Sequence, residues 1–158
     1  MKCCSWQFPT LCFALVGCVL ALGATAPMLW GQESGAVGYK MVIHADNPTE
    51  SIERGRVSKY FLKRLTSWEH NDRTVLPMDL AEDSAVREAF TKDVHKRSVR
   101  AVQSYWLRMV FSGDAAAPPE VQTDAEVLAF VGANPSAIGY VSATTALPST
   151  VKGLEIVD

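Results

Sequence analysis

The segment Glu126–Ala143, EVLAFVGANPSAIGYVSA, constrains the fold more than any other stretch of this chain. Thr123 and Glu126 stand in the Ser/Thr-x-x-Glu spacing of a capping box, in which each side chain satisfies a backbone N–H of the first turn. They open an amphipathic helix through Val131. Asn134-Pro135 stops it, because proline cannot continue a helix and biases the residue before it toward extended backbone. Ala137–Val141 is then a short apolar run of the kind that forms a buried strand. A capped helix that turns at once into a core strand belongs to a layered fold in which helices cover a sheet.

The rest of the chain repeats this alternation. Met41–His44 reads as a strand and Asp46-Asn47-Pro48 as the turn after it. Glu53–Arg64 reads as a helix with Val57, Tyr60 and Phe61 on one face, and Gly55 weakens its first turn by up to about 1 kcal/mol. Thr74–Leu80 is the next predicted strand, with Pro77 favouring an edge position or a break. Asp83 or Ser84 caps a helix to about His95, with Val86, Ala89, Phe90 and Val94 as its apolar stripe. Ser98 caps another helix, with Val99, Val102, Trp106 and Val110 at helical spacing. Gly113–Pro119 is a loop, and Gly153–Val157 a final strand. The expected class is α/β, a mixed, partly parallel sheet flanked by helices.

The N-terminus reads differently. All four cysteines, Cys3, Cys4, Cys12 and Cys18, fall in the first 18 of 158 residues. Lys2 followed by the apolar run Leu11–Ala24 has the form of a secretory leader. Residues 1–26 are read as signal peptide, with cleavage near Gly23, Ala24 or Gly31, 27–39 as linker, and 40–158 as the domain. Cleavage would leave no cysteine and hence no disulfide. Two other readings stay open. Leu15-Val16-Gly17-Cys18 resembles a lipobox, which would anchor the chain by lipid at Cys18. Alternatively, Leu11–Trp30 is about 20 mostly apolar residues, enough to span a bilayer as a retained anchor.

Two patches carry a family resemblance. Ala137–Val141, AIGYV, at the end of a capped helix, resembles the "pGAIGYV" signature of the periplasmic phosphate-binding proteins of ABC transporters. VSKYFLKRLTSW, Val57–Trp68, resembles the same family's "IFLGKITNW", in the same order along the chain. The resemblance covers about Lys40–Val157. It implies one lobe of a type II periplasmic-binding-protein-like fold, a mixed sheet flanked by helices. The family has a further N-terminal portion that builds much of a second lobe, and no stretch of this chain resembles it.

The resemblance also implies a place for a ligand. The first amides of a helix have no intrahelical partner and the helix dipole favours negative charge there. In the family that turn carries an Arg and then "GSGT". Here the matching stretch is Asp79–Phe90, DLAEDSAVREAF. Ser84 takes the serine position, Ala85 and Val86 replace the Gly and Thr, and the Arg position falls near Leu80. Ser84, Ala85, Val86 and Arg87 are therefore the candidate ligand-binding residues. Asp79, Glu82 and Asp83 add negative charge, and Arg87 is placed to pair with Asp83 at i, i+4.

Other chemistry is thin. No histidine pair among His44, His70 and His95 has metal-ligand spacing, and no cofactor motif is present. His44-x-Asp46 reads as a strand-end pair. His95 lies in the basic run KDVHKRSVR with Lys92, Lys96, Arg97 and Arg100, which reads as a solvated helix junction or a surface for an anionic partner or lipid. Tyr60, Phe61, Trp68, Phe90, Tyr105, Trp106, Phe111, Phe130 and Tyr140 read as core. Ser142, Thr144 and Thr145 solvate a strand end. A net charge of −2 argues against a nucleic-acid partner. No nucleophile triad or carboxylate pair stands out, so no enzyme is expected. Two functions are expected. One is an exported, periplasmic binding module for phosphate or another small oxyanion, serving a membrane transporter or sensor protein. The other is a ligand-free interaction or scaffold domain of the cell envelope.

Overall fold

A computed structural model describes residues 37–158. The signal and anchor readings, and the linker reading as far as residue 36, lie outside the described residues, and Tyr39, read as the last linker residue, already belongs to the first strand. The elements run β1 (Tyr39–His44), β2 (Ser51–Glu53), α1 (Arg54–Phe61), β3 (Leu76–Pro77), β4 (Asp79–Leu80), α2 (Ala85–Val94), α3 (Val99–Ser112), β5 (Glu120–Val121), α4 (Asp124–Ala133), β6 (Ala137–Ser142) and β7 (Val151–Val157).

A five-stranded sheet has the order β2-β7-β1-β6-β3. β1 runs antiparallel to both β6 and β7, while β2 pairs parallel with β7 and β3 parallel with β6. The expected mixed sheet flanked by helices is therefore present. β1 and β6 are its centre, and their side chains are buried at Met41–Ile43 and Ala137–Val141. Strands covered on both faces read as continuous apolar runs rather than alternating ones.

The single strand expected over Thr74–Leu80 is divided. Leu76 and Pro77 pair with β6 at the sheet edge. The Met78 N–H still donates to the Ile138 carbonyl, but the Asp79 N–H donates to the Pro119 carbonyl, and β4 continues parallel to β5. Pro77 brings no N–H, so an edge position and a change of partner suit it. This transfer carries the chain off the main sheet directly before α2.

α4 lies across the sheet with Val127 and Val131 fully buried. A Cβ added at Gly139 would meet Val127 Cγ1 at 2.6 Å and Val131 Cγ2 at 3.4 Å. The glycine of the AIGYV strand is thus what lets α4 approach β6. The capping box forms as expected, with Thr123 Oγ1 accepting from the Glu126 N–H at 3.3 Å and Glu126 accepting from the Thr123 N–H at 2.9 Å. Asn134 ends the helix.

α3 departs from expectation at its C-terminal end. Val102, Tyr105 and Trp106 are buried and pack with Leu62, but Val110 is 54% and Phe111 86% exposed. The stripe toward the core drifts toward Met109, because 3.6 residues per turn carries Val110 and Phe111 round to the outer face. Phe111 is not a core residue.

Candidate functional site

The four candidate residues sit together at the start of α2. Ser84 is the N-cap, in extended backbone at φ −70° and ψ 125°, and its hydroxyl accepts from the Arg87 N–H at 3.4 Å. Ala85 is exposed, and Ser84 and Val86 are half-buried. This end of α2 is therefore open to solvent, although the Ser84 N–H donates to the Ala81 carbonyl.

Arg87 points the other way. It is 2% exposed and follows the buried positions Phe90, Thr91 and Val94 along the inner face of α2. Its guanidinium contacts Asp79 at 3.2 Å and Glu120 at 2.7 Å, and donates to the Leu80 carbonyl. The pairing expected with Asp83 does not form. Asp83 is exposed and precedes the N-cap, outside α2, so the i, i+4 spacing of a helix does not hold between it and Arg87, and the guanidinium on the inner face meets the buried carboxylate instead. Arg87 thus contributes position, and its charge is already engaged.

Asp79 is likewise not a repulsive charge beside the cleft. It is buried, accepts from the Tyr140 hydroxyl and the Leu80 N–H, and pairs with Arg87. Burial pushes its carboxyl up, against the downward pull of Arg87 and of the Tyr140 hydrogen bond. Burial and the nearby Asp79 charge push the Tyr140 phenol well up, so it stays a neutral donor. Tyr140 also stacks on Phe90, with centroids 3.9 Å apart and planes at 10°. Asp79, Arg87, Glu120 and Tyr140 together tie β4, α2, β5 and β6 into one support beneath the α2 N-terminus. Sequence reasoning missed this tetrad. Its signal is Arg87 itself, which precedes Phe90 by three and Val94 by seven on the apolar stripe. An arginine there requires carboxylates.

In front of α2 lies a cleft of about 840 Å³ lined by Glu82, Asp83, Ser84, Glu88, Lys92, Lys96, Arg97, Ser98, Val99 and Arg100. Ser84, Glu88 and Lys92 are one helical stripe of α2, and Ser98 caps α3, its hydroxyl accepting from the Ala101 N–H at 3.3 Å. Two helix N-termini and the basic run therefore border one depression. Lys96 pairs with Asp93 at 3.3 Å. Lys92, Arg97 and Arg100 make no salt bridge among the described residues.

His95 does not join the basic face. Its Nδ1 lies 2.9 Å from Ser58 Oγ and its ring packs edge-on to Phe90. Burial, reinforced by the charges of Arg97 and Arg87, lowers its pKa to about 4. It is a neutral packing group at pH 7. His44 accepts from the Asp46 N–H at 3.1 Å, a local strand-end turn. Among the described residues no group of three or more His, Cys, Asp or Glu gathers as metal ligands. Ser142 and Thr145 are tied to Asp124, which accepts from the Ser142 N–H at 3.0 Å and the Thr145 hydroxyl at 2.5 Å. No helix among the described residues is long and apolar enough to cross a membrane.

No protein-family model matches the chain, and no curated protein matches it. Solved structures do match. A candidate phosphate ABC transporter substrate-binding protein of Clostridium perfringens, solved with bound phosphate, aligns with a TM-score of 0.60 at 17% identity over 76% of this chain and 45% of that one. An ABC-type phosphate transport receptor of Vibrio cholerae aligns at 0.59 and 19% identity over 76% of this chain and 46% of its own. A candidate phosphate-binding protein of Planctomyces limnophilus aligns at 0.57 and 18% identity, over 77% and 42%. The chain spans less than half the length of each of these proteins. At such identities the likeness is one of fold, and the described residues have the fold of one lobe of a type II periplasmic-binding-protein-like domain, a mixed sheet flanked by helices.

Proposed function

We propose that this chain is an exported solute-binding domain whose ligand is a small oxyanion such as phosphate. Ser84, Ala85 and Val86 present hydroxyl and amide hydrogen-bond donors at the α2 N-terminus, with Lys92, Arg97 and Arg100 supplying the counter-charge. Arg87 holds that turn in place from behind. The protein acts in the periplasm, delivered there by its N-terminal leader, and serves a membrane transporter or a sensor. No covalent step is involved, so the role is binding and not catalysis.

The observation that carries this reading is the cleft of about 840 Å³ that sets the α2 N-terminus against cations without salt-bridge partners. Unpaired guanidinium groups and free helix-terminal amides both favour an anion, and arginine is suited to planar contact with its oxygens. One lobe encloses a ligand on one side, so its affinity is modest.

Isothermal titration with phosphate, sulfate and molybdate tests the proposal. Heat is expected with one of them, weakened by salt and lost by about tenfold or more in R97E/R100E, a loss of about 1.4 kcal/mol. No heat with any of the three overturns it. A second reading has its own support. Glu82, Asp83 and Glu88 line the same cleft and oppose a dianion. If they prevail, the lobe is an interaction or scaffold domain of the envelope, and the titrations stay flat while an envelope protein is retained.

A further inference from the structure

The outer face of α3 is unlike the rest of the surface. Arg100, Ser104, Leu107 and Phe111 recur at spacings of three and four, so they lie along one side of the helix, with Arg108 and Val110 flanking. Val102, Tyr105 and Trp106 occupy the opposite, buried side. Leu107 is 59% exposed, Val110 54% and Phe111 86%. No other helix of the described residues carries a large hydrophobic side chain exposed to this degree. These side chains project from one side of a helix of 14 residues, about 21 Å long.

The charges that α3 itself bears are of one sign. α3 holds Arg100 and Arg108 and no Asp or Glu. Arg64 lies beside it, with its guanidinium 5.4 Å from the centre of the Tyr105 ring. None of the three forms a salt bridge among the described residues. A second copy of the chain is a poor occupant for this face, since two-fold pairing of one patch with itself would bring arginines together, and the Asp114 carboxylate at the end of the helix already accepts from the Ser112 hydroxyl. A plane that accepts apolar side chains and offers anionic groups around them suits it, which is the pattern of an interfacial amphipathic helix. Under the retained-anchor reading, the sequence ahead of the described residues also brings the domain to a bilayer. Leu11–Trp30 is about 20 mostly apolar residues, and only Gly31–Gly38 separates it from β1.

We propose that the outer face of α3, through Leu107, Val110 and Phe111 with Arg64 and Arg108, docks on an anionic lipid surface. The aromatic and aliphatic side chains enter the headgroup boundary while the arginines meet lipid phosphates. Arg100, at the N-terminal end of this face, also lines the oxyanion cleft, whereas Leu107, Val110, Phe111, Arg64 and Arg108 do not.

The test places an environment-sensitive fluorescent amino acid at Ser104, an exposed position on this face, in the purified full chain. A blue shift is expected on vesicles containing phosphatidylglycerol, with little or none on phosphatidylcholine alone. It is expected to be lost in R64E/R108E and in L107S/F111S, both made of exposed or surface-facing positions and checked for folding by circular dichroism. The same probe at the exposed Glu155 of β7 is expected to stay unshifted. Equal shifts at Ser104 and Glu155, or shifts that survive both variants, overturn the proposal and assign vesicle binding to the N-terminal segment. An unshifted probe on lipid that shifts with an envelope protein also overturns it and assigns the face to a protein. So does a dimer in solution that L107S/F111S dissolves.

Discussion

Replacing Gly139 with alanine should separate α4 from the sheet. The added Cβ would stand 2.6 Å from Val127 Cγ1, about 1 Å inside a normal carbon–carbon contact of 3.5–4.0 Å. Val127 cannot turn aside, because a β-branched side chain in a helix has one strongly preferred rotamer. It is also fully buried, and Val131 Cγ2 closes the other side at 3.4 Å. The strain must go into an unfavourable rotamer or into lifting α4, which would stretch the hydrogen bonds that Asp124 accepts from the Ser142 N–H and the Thr145 hydroxyl. Overpacking of this kind costs about 1–3 kcal/mol. For a domain of this size that is a fall in Tm of roughly 3–6 °C per kcal/mol. Val127→Ala alone removes two buried methyl groups and should cost about 2 kcal/mol. In G139A/V127A the new methyl enters the space vacated, so the double variant should be more stable than the sum of the singles predicts by about 1 kcal/mol or more. Urea unfolding followed by circular dichroism measures all four corners of the cycle. A neutral G139A, within about 0.5 kcal/mol of the parent, or an additive cycle, would refute the close-approach argument.

Arg87→Met should cost about 3–5 kcal/mol, because it leaves the Asp79 carboxylate buried without its partner, whereas Glu120→Gln at a half-exposed position should cost far less. Equal losses in urea unfolding would show that Asp79 is not the group Arg87 sustains. His95 gives a pH dependence with a definite sign. Its folded pKa is lowered to about 4 from 6.5, so the unfolded chain binds the extra proton between those values. The stability it contributes is full above about pH 6.5 and declines as pH falls to about 4, by up to about 3 kcal/mol. His95→Asn should flatten that slope, and an unchanged pH profile of unfolding would contradict the neutral buried imidazole. Thr123→Ala should destabilise by about 1 kcal/mol, seen as a lower urea midpoint, by removing one side of the capping box.

The helices were legible wherever their signals were local. Ser98 and Thr123 announce two N-caps and Asp83 or Ser84 a third, which the structure gives to Ser84, while Asn134-Pro135 and the loop from Gly113 mark ends where helices stop. AIGYV was legible as a core strand because a run that is apolar at every position must be covered on both faces. β2 was not legible. Ser51–Glu53 carries one buried residue, Ile52, and its hydrogen bonds come from β7 at the far end of the chain. The division at Met78 was half legible, since Pro77 signals an edge or a break but does not say that Pro119 and β5 will receive the next residues.

Sequence alone determined the α/β class, the capped helices, the position of the α2 N-terminus and the likeness to a periplasmic binding fold. The first three depend on neighbours within a turn or two, or on the hydrophobic period of one segment, and the likeness rests on the resemblance of AIGYV and VSKYFLKRLTSW to that family. Only the tertiary structure decided where charge and apolar surface point. Arg87 and Asp83 are four apart in sequence, yet Asp83 falls before the N-cap and Arg87 turns inward to Asp79 and Glu120, carboxylates on two strands. His95 belongs to a basic run in sequence and to a packed ring pair in space. Phe111 reads as core and stands in solvent. A side chain's partner is set by which elements the sheet brings alongside it, and that long-range pairing is not written in the spacing of any one segment.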